Sequence, residues 1–400
     1  MICERQGSMG PDSEVRTLPS LEDVEGLPER LVAGLMTGTS MDGLDVAICR
    51  IEPGERLAFE LLAFDTVPMP DDLRRDLDPS RLNSIAAVAR LNQRLGHFFA
   101  DALGEVAGPS RLDLIGSHGQ TVYHEHGVTS LQLGEPGPLA ARFGCPVISD
   151  FRMNDVALGG SGAPLVPYVD QRLLGHDGEA LLAINIGGIA NFTALPGDPK
   201  ASDRVIGMDC GPGNMLMDGL AVRWSDGRDK ADIDGRLAGR GRVDQALLAW
   251  LQAHPYFAET PRPSAGREQF GDDFLDCVLK KAGTDLDDEA DVSDLMATLA
   301  AFSVWGLTDA YRRFVAPVLP VSRVIVSGGG SRNPALMAGL REGFGNIAVS
   351  ASDALGLPVD AKEAIAFAIL ASDRVDRRPT NLPSVTGARR QTLLGRITEC

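Results

Sequence analysis

The rest of the chain is organised around Val205-Ile-Gly-Met-Asp-Cys-Gly-Pro-Gly-Asn-Met-Leu-Met217. A short apolar run ends on one carboxylate, Asp209, and passes at once into Gly211-Pro212-Gly213. A buried strand that delivers Asp209 to its tip, followed by glycines, sets an acid-base residue beside backbone thin enough for a phosphate to approach. Taken alone, Asp-x-Gly-Pro-Gly reads better as a strand end closed by an ordinary β-turn. Three more glycine-rich strand ends of similar design shift that balance: residues 37–43, Gly187-Gly188, and Ser327-Gly-Gly-Gly330.

Working outward, residues 31–36 and 44–51 read as two strands of a hairpin whose turn, Thr37-Gly-Thr-Ser-Met-Asp-Gly43, converges several N–H and O–H donors. Residues 57–67 read as a third strand, and 71–106 as helical, with Ile85, Val88, Leu91, Leu95 and Phe99 on one face. Two buried strands then end in polar clusters: 112–116 in Ser117-His118-Gly119-Gln120-Thr121, and 145–149 in Asp150, Arg152, Asn154 and Asp155. Such clusters beyond strand ends suit an oriented, hydroxyl-rich ligand, although a lone histidine there more often serves structure. Residues 159–167, rich in glycine and proline, read as a link between lobes before a helix over 165–174.

From Leu181 the pattern restarts as strand, glycine turn, strand, with the Asp209 strand third, which suggests a duplication with a cleft between its halves. Helices are expected over 243–252 and over 293–315, the latter capped by Ser293. A strand over 321–326 leads through Gly328-Gly329-Gly330 to a helix near Ala335, whose N-terminus favours anions. A last helix, 362–371, packs back on the first lobe, and residues 1–30 read as a disordered extension.

Four hundred residues allow two ordinary domains, and 44% hydrophobic with 23% charged residues is the balance of a soluble globular chain. No apolar run is long enough to cross a bilayer. A net charge of -17 argues against a nucleic-acid partner, while local N–H groups still permit a small anionic substrate. The six cysteines are scattered without zinc spacing, and nothing at the N-terminus reads as a secretory signal. Free thiols in the cytoplasm are the expectation.

The motifs, in order, resemble those of the anhydro-N-acetylmuramic acid kinase family, within the actin, hexokinase and heat-shock chaperone ATPase superfamily. The carriers are Gly34-Leu-Met-Thr-Gly-Thr-Ser-Met-Asp-Gly-Leu-Asp45, Ser117-His-Gly-Gln-Thr121, Asp150-Phe-Arg152, Gly162-Ala-Pro-Leu-Val-Pro167, Asn185-Ile-Gly-Gly-Ile-Ala-Asn191, Asp209-Cys-Gly-Pro-Gly-Asn214, His254-Pro-Tyr-Phe257, Gly266-Arg-Glu268, Gly328-Gly-Gly330 and Leu382-Pro-Ser-Val-Thr-Gly387. The resemblance implies an α/β fold: two lobes of duplicated actin-like, ribonuclease H-like ATPase topology around a central nucleotide cleft. Lobe I would take 31–180 plus 360–400, and lobe II 181–359.

It also implies an activity: ATP and water open 1,6-anhydro-N-acetylmuramic acid and phosphorylate O6, giving N-acetylmuramic acid 6-phosphate and ADP in cell-wall recycling. Carried over by motif, Asp209 is the catalytic base. Gly38, Thr39, Ser40, Met41, Asp42, Gly43, Leu44 and Asp45 form the ATP loop, Gly187, Gly188, Gly329 and Gly330 line phosphates and adenosine, and His118, Gln120 and Asp155 lie near the sugar. Mg2+ is expected with the ATP, its ligands unassigned apart from Asp42 as a candidate, and a homodimer is implied. Two departures stand out: Ser161 where the family usually has Gln, and Pro263-Ser264-Ala265 where Lys-Ser-Thr is common. Another sugar or carboxylate kinase of the superfamily, or a nucleotide-dependent binding protein, stays open as an alternative.

Overall fold

A computed structural model describes residues 20–38, 41–175, 178–198, 200–260, 262 and 264–399. Alternating apolar runs form β1 (Arg30–Met36), β2 (Gly43–Glu52) and β3 (Ala58–Pro68), an antiparallel meander. β4 (Leu114–Ser117) then lies parallel to β1. A separate hairpin, β5 (Gln120–Glu125) and β6 (Thr129–Leu133), follows, and β7 (Val147–Ser149) adds parallel to β4.

The second half repeats the plan. β8 (Leu181–Ile186), β9 (Ile189–Leu195) and β10 (Ile206–Pro212) form a meander, and β11 (Arg323–Ser327) and β12 (Ala348–Ala351) extend it in parallel from β8. β13 (Arg396–Thr398) returns to the first sheet, beside β7. The sheet orders are β13-β7-β4-β1-β2-β3 and β12-β11-β8-β9-β10. Three antiparallel strands followed by two parallel ones, in the same order twice, establish the two-lobed duplication that the glycine turns suggested.

Between the sheets runs the helix Lys362–Val375, which packs with the helix Val166–Leu174 into one core shared by Val32 and Leu114 of the first sheet and Leu181 and Ile325 of the second. Its contact with the first sheet is backbone to backbone. A Cβ on Gly34 would come within 1.9 Å of the Ala364 carbonyl oxygen, and one on Gly116 within 2.1 Å of that of Phe367. Only glycine admits so close an approach.

Residues 20–30, expected to belong to a disordered extension, are folded. Residues Leu21–Glu25 form a helix capped by Ser20, and the buried Arg30 binds it to the central helix. The Arg30 guanidinium donates to the carbonyls of Val24, Glu25 and Ser372, to Ser372 Oγ, and to Asp376. Residues 1–19 lie outside the described residues. The helix expected from Ser293 begins four residues sooner, at Glu289–Ala310, with Asp288 accepting the Ala290 N–H. Among the described residues, no helix is long and apolar enough to cross a membrane.

Gly116→Ala should cost about 1–3 kcal/mol, because the central helix has to shift to admit the methyl group. Gly26→Ala, where a Cβ meets nothing within 4 Å, should stay within about 0.5 kcal/mol of the parent. Urea unfolding checks both, and equal midpoints would refute the close-approach account.

Candidate active site

A cavity of about 890 Å3 opens between the lobes. Its walls come from Met36, Arg152 and Ser161, from Lys362, Glu363 and Phe367 of the central helix, and from Asn185, Gly187, Asn191, Asp209, Gly328 and Gly329 of the second lobe.

Asp209 sits near the end of β10, opposite Asn191, where the ladder slips by one residue between Asp209 and Gly211. Such a bulge bends the strand and re-aims a side chain. Gly211 carries the slip at φ +124°, a left-handed value that favours glycine. Oδ2 of Asp209 accepts the Ala265 N–H at 2.9 Å, and its carbonyl oxygen accepts the Tyr256 hydroxyl at 3.0 Å. Burial raises its pKa above the ordinary carboxylate value, the Ala265 hydrogen bond opposing this in part. Arg262 donates to the carbonyls of Cys210 and Gly306 and pairs with Asp309, so it ties the backbone next to the carboxylate to the helix Glu289–Ala310. The departure at Ala265 therefore leaves the base supported, since the main chain rather than the side chain makes that bond.

The glycine turns lock onto one another. The N–H groups of Gly213 and Asn214 donate to the carbonyls of Gly188 and Gly187, and a Cβ on Gly213 would lie 2.2 Å from the Gly187 oxygen. Gly328, at φ +80°, packs its Cα against Asn185 and Ile186. Gly187 and Gly329 thereby present bare backbone to the cavity. Gly330 does not: it is buried against Ile186, so its glycine serves packing.

The expected ATP loop is less uniform than its motif. Gly38 accepts the Gln120 side-chain amide at 3.3 Å, Met41 takes φ +57°, and Asp42 is exposed. Gly43 packs on the Val67 carbonyl, and Leu44 is 1% exposed in the core of the first lobe, so that side chain anchors the strand and cannot meet a nucleotide. Thr39 and Ser40 lie outside the described residues. Asp45 accepts the Thr66 hydroxyl at 2.6 Å; burial raises its pKa, and the charge of Asp360 adds to this.

Of the three residues expected at the sugar, none lines this cavity directly. Gln120 is buried and braces Gly38. His118 stands behind Arg152, whose Nε and Nη2 donate to His118 Nε2 at 3.2 and 2.8 Å. Burial, then the Arg152 charge, holds that imidazole far below its usual pKa, so it is neutral, with Phe367 against its ring at 4.6 Å. Asp155 is a correction: it is 0% exposed, and its oxygens take donors from Gly162, Asn381 and Thr386 at 2.8–2.9 Å. It fastens residues 155–162 to the C-terminal segment and has no face for a sugar.

Glu363 escaped the sequence reading. Burial and the charge of Asp45 raise its pKa, while Lys362 and Arg152 oppose. No local motif marks it; only the return of the chain to the first lobe brings it to the cleft. Among the described residues, no three His, Cys, Asp or Glu side chains are grouped to hold a metal ion.

The model of the family described as anhydro-N-acetylmuramic acid kinase matches residues 30–400. The chain belongs to that family. Relatives carrying the same name include those of Caldanaerobacter subterraneus subsp. tengcongensis, 39% identical over 388 residues, and Salinibacter ruber, 41% over 387. A third, from Bacillus thuringiensis subsp. konkukian, is 38% identical over 384. Each alignment takes in 92% of this chain and 96–98% of the relative. Membership of the anhydro-N-acetylmuramic acid kinase family thus extends over both lobes and the whole cavity.

Because burial lifts the folded-state pKa of Asp209 above its unfolded value, its ionised carboxyl weighs against the fold at neutral pH. That penalty disappears below about pH 3.9, where both states are protonated. Asp209→Asn keeps an acceptor for Ala265, so it should raise the melting temperature at pH 7, with the gain shrinking toward zero near pH 4. Thermal unfolding across that range checks it, and a lower melting temperature at pH 7 would contradict the burial argument.

Proposed function

We propose that this chain is an anhydro-N-acetylmuramic acid kinase in which Asp209 is the general base. The observation that carries the reading is a raised-pKa carboxylate aimed by a bulge into a cavity that bare glycine backbone lines on the same lobe. With its family fixed, the reaction asks for a water made nucleophilic at C1 of the bicyclic sugar. Asp209 accepts that proton; its raised pKa makes it the stronger base, and such a role is worth about 10²- to 10⁴-fold in rate. Cleavage of the C1–O6 bond leaves charge on O6, which attacks the γ-phosphorus in line, so opening the ring generates the phosphoryl acceptor.

ATP would supply the phosphoryl group, and Mg2+ bound with it would neutralise its oxygens, where most of the catalysis of such transfers resides. Gly187 and Gly329 offer main chain to the phosphates. Such an ion would take one or two carboxylates plus phosphate and water; Glu363 and Asp360 line the cavity, Asp45 interacts electrostatically with both, and Asp42 is the candidate that the motif supplies. His118 and Gln120 act at one remove, through Arg152 and Gly38. We place lobe I at 31–180 plus 360–400 and lobe II at 181–359, closing on the ligands to exclude bulk water. A cytoplasmic homodimer taking part in cell-wall recycling completes the reading, on the family resemblance.

Asp209→Asn should lose at least about 10²-fold in turnover while its Kd for ATP stays within about threefold of the parent. Coupled ADP-release kinetics and titration calorimetry measure the two. Turnover near the parent value would reject the base.

A further inference from the structure

We propose that Arg152 receives the carboxylate of the sugar substrate, and that His118 is the positioning residue that holds its guanidinium toward the cavity. The proposal rests on the kinase reading and deepens it.

Arg152 differs from the other cations of the cavity wall. Lys362 pairs with Asp170 at 2.7 Å, and Arg262 pairs with Asp309. Arg152, half-buried in the same wall, meets uncharged acceptors instead: His118 Nε2 twice, and the Gly162 carbonyl from Nη1 at 2.8 Å. Among the described residues no carboxylate forms an ion pair with it, and the one opposing charge acting on it is that of Glu363. Burial presses its pKa down to about 10, still far above neutrality, so the guanidinium stays charged. A cation drawn out of water with no carboxylate in direct contact is costly to the ligand-free fold, and that cost is relieved when an anion arrives.

The hydrogen-bond inventory agrees. A guanidinium has five N–H donors. Three are taken, leaving one on each terminal nitrogen, the fork that a two-oxygen anion fits. His118 is neutral and adds no charge that would compete for the anion; its acceptor nitrogen is turned to Arg152, and its Nδ1 is buried without a hydrogen-bond partner. A muramic acid differs from the parent N-acetylated amino sugar by one ether-linked carboxylic acid. A fork aimed at that group is a device for choosing the acid over the plain sugar. The phosphoryl group in transfer is the other oxyanion in the cavity, and the test separates the two.

Dissociation constants of 1,6-anhydro-N-acetylmuramate, 1,6-anhydro-N-acetylglucosamine and ATP are measured by calorimetry for the full chain, Arg152→Ala, Arg152→Lys and His118→Gln. The parent should prefer the acid over the plain anhydro sugar, and Arg152→Ala should reduce that preference by about 10- to 100-fold with the ATP constant unmoved. Arg152→Lys keeps the charge and loses the fork, so it should retain part of the preference, and His118→Gln, which keeps an acceptor, should retain most of it. Matching melting temperatures keep misfolding out of the comparison. A preference that survives Arg152→Ala, equal weakening of both sugars, or a weakened ATP constant in place of the sugar effect would overturn the assignment. A parent chain that binds neither sugar would overturn the kinase reading itself, and this proposal with it.

Discussion

The molecule depends on how near the helix Lys362–Val375 lies to the first sheet. Gly34 and Gly116 remove two side chains from adjacent parallel strands, and the helix backbone occupies the space. That contact sets the height of the helix, and so the position of its first turn. Lys362 and Glu363 thereby reach the cleft, although they are more than 150 residues away in sequence from Asp209 on the opposite wall. Lys362 also donates to Ser327 Oγ at 3.2 Å while paired with Asp170, so one buried ammonium joins β11 of the second lobe to two helices beside the first sheet. Breaking a buried pair of this kind strands an uncompensated charge, which is why such a joint holds firmly.

The electrostatics of the cleft reconcile a chain of net charge -17 with polyanionic ligands. The acids at its rim, Asp45 and Glu363, are pushed toward their neutral forms by burial and by neighbouring carboxylates. The cations Arg152, Arg262 and Lys362 are fixed by hydrogen bonds, so they lose little freedom when a ligand arrives. The main-chain groups of the glycine turns carry no net charge and need no counter-ion. An anion entering this space meets a local field unlike that of the surface.

Much of this was legible in the chain. Alternation over 31–51 and its echo over 181–195 disclosed the repeated meander, and the glycines after Asp209 marked the cavity wall that carries it. The hairpin β5–β6 has no such signal, because the polar run from Ser117 reads as a cluster beyond a strand end although a strand starts within it at Gln120. Asp155 misled for a related reason: an acid near polar neighbours looks the same in sequence whether its partners are a ligand or three buried protein donors. Leu44 and Gly330 belong to motifs expected to meet the ligand, yet their own positions are dictated by packing. Glu363 had no local signal at all, since its place is set by long-range topology rather than by its neighbours in sequence.

On the proposed mechanism one carboxylate activates water, so that ring opening and phosphoryl transfer happen in a single site. Mass analysis of the sugar phosphate made from ATP and 1,6-anhydro-N-acetylmuramate in ¹⁸O-labelled water tests it most directly. One heavy oxygen should appear, located at C1 of the sugar, and none in the phosphoryl group. Label in the phosphate, or a phosphorylated sugar with its anhydro bridge intact and no label, would contradict it.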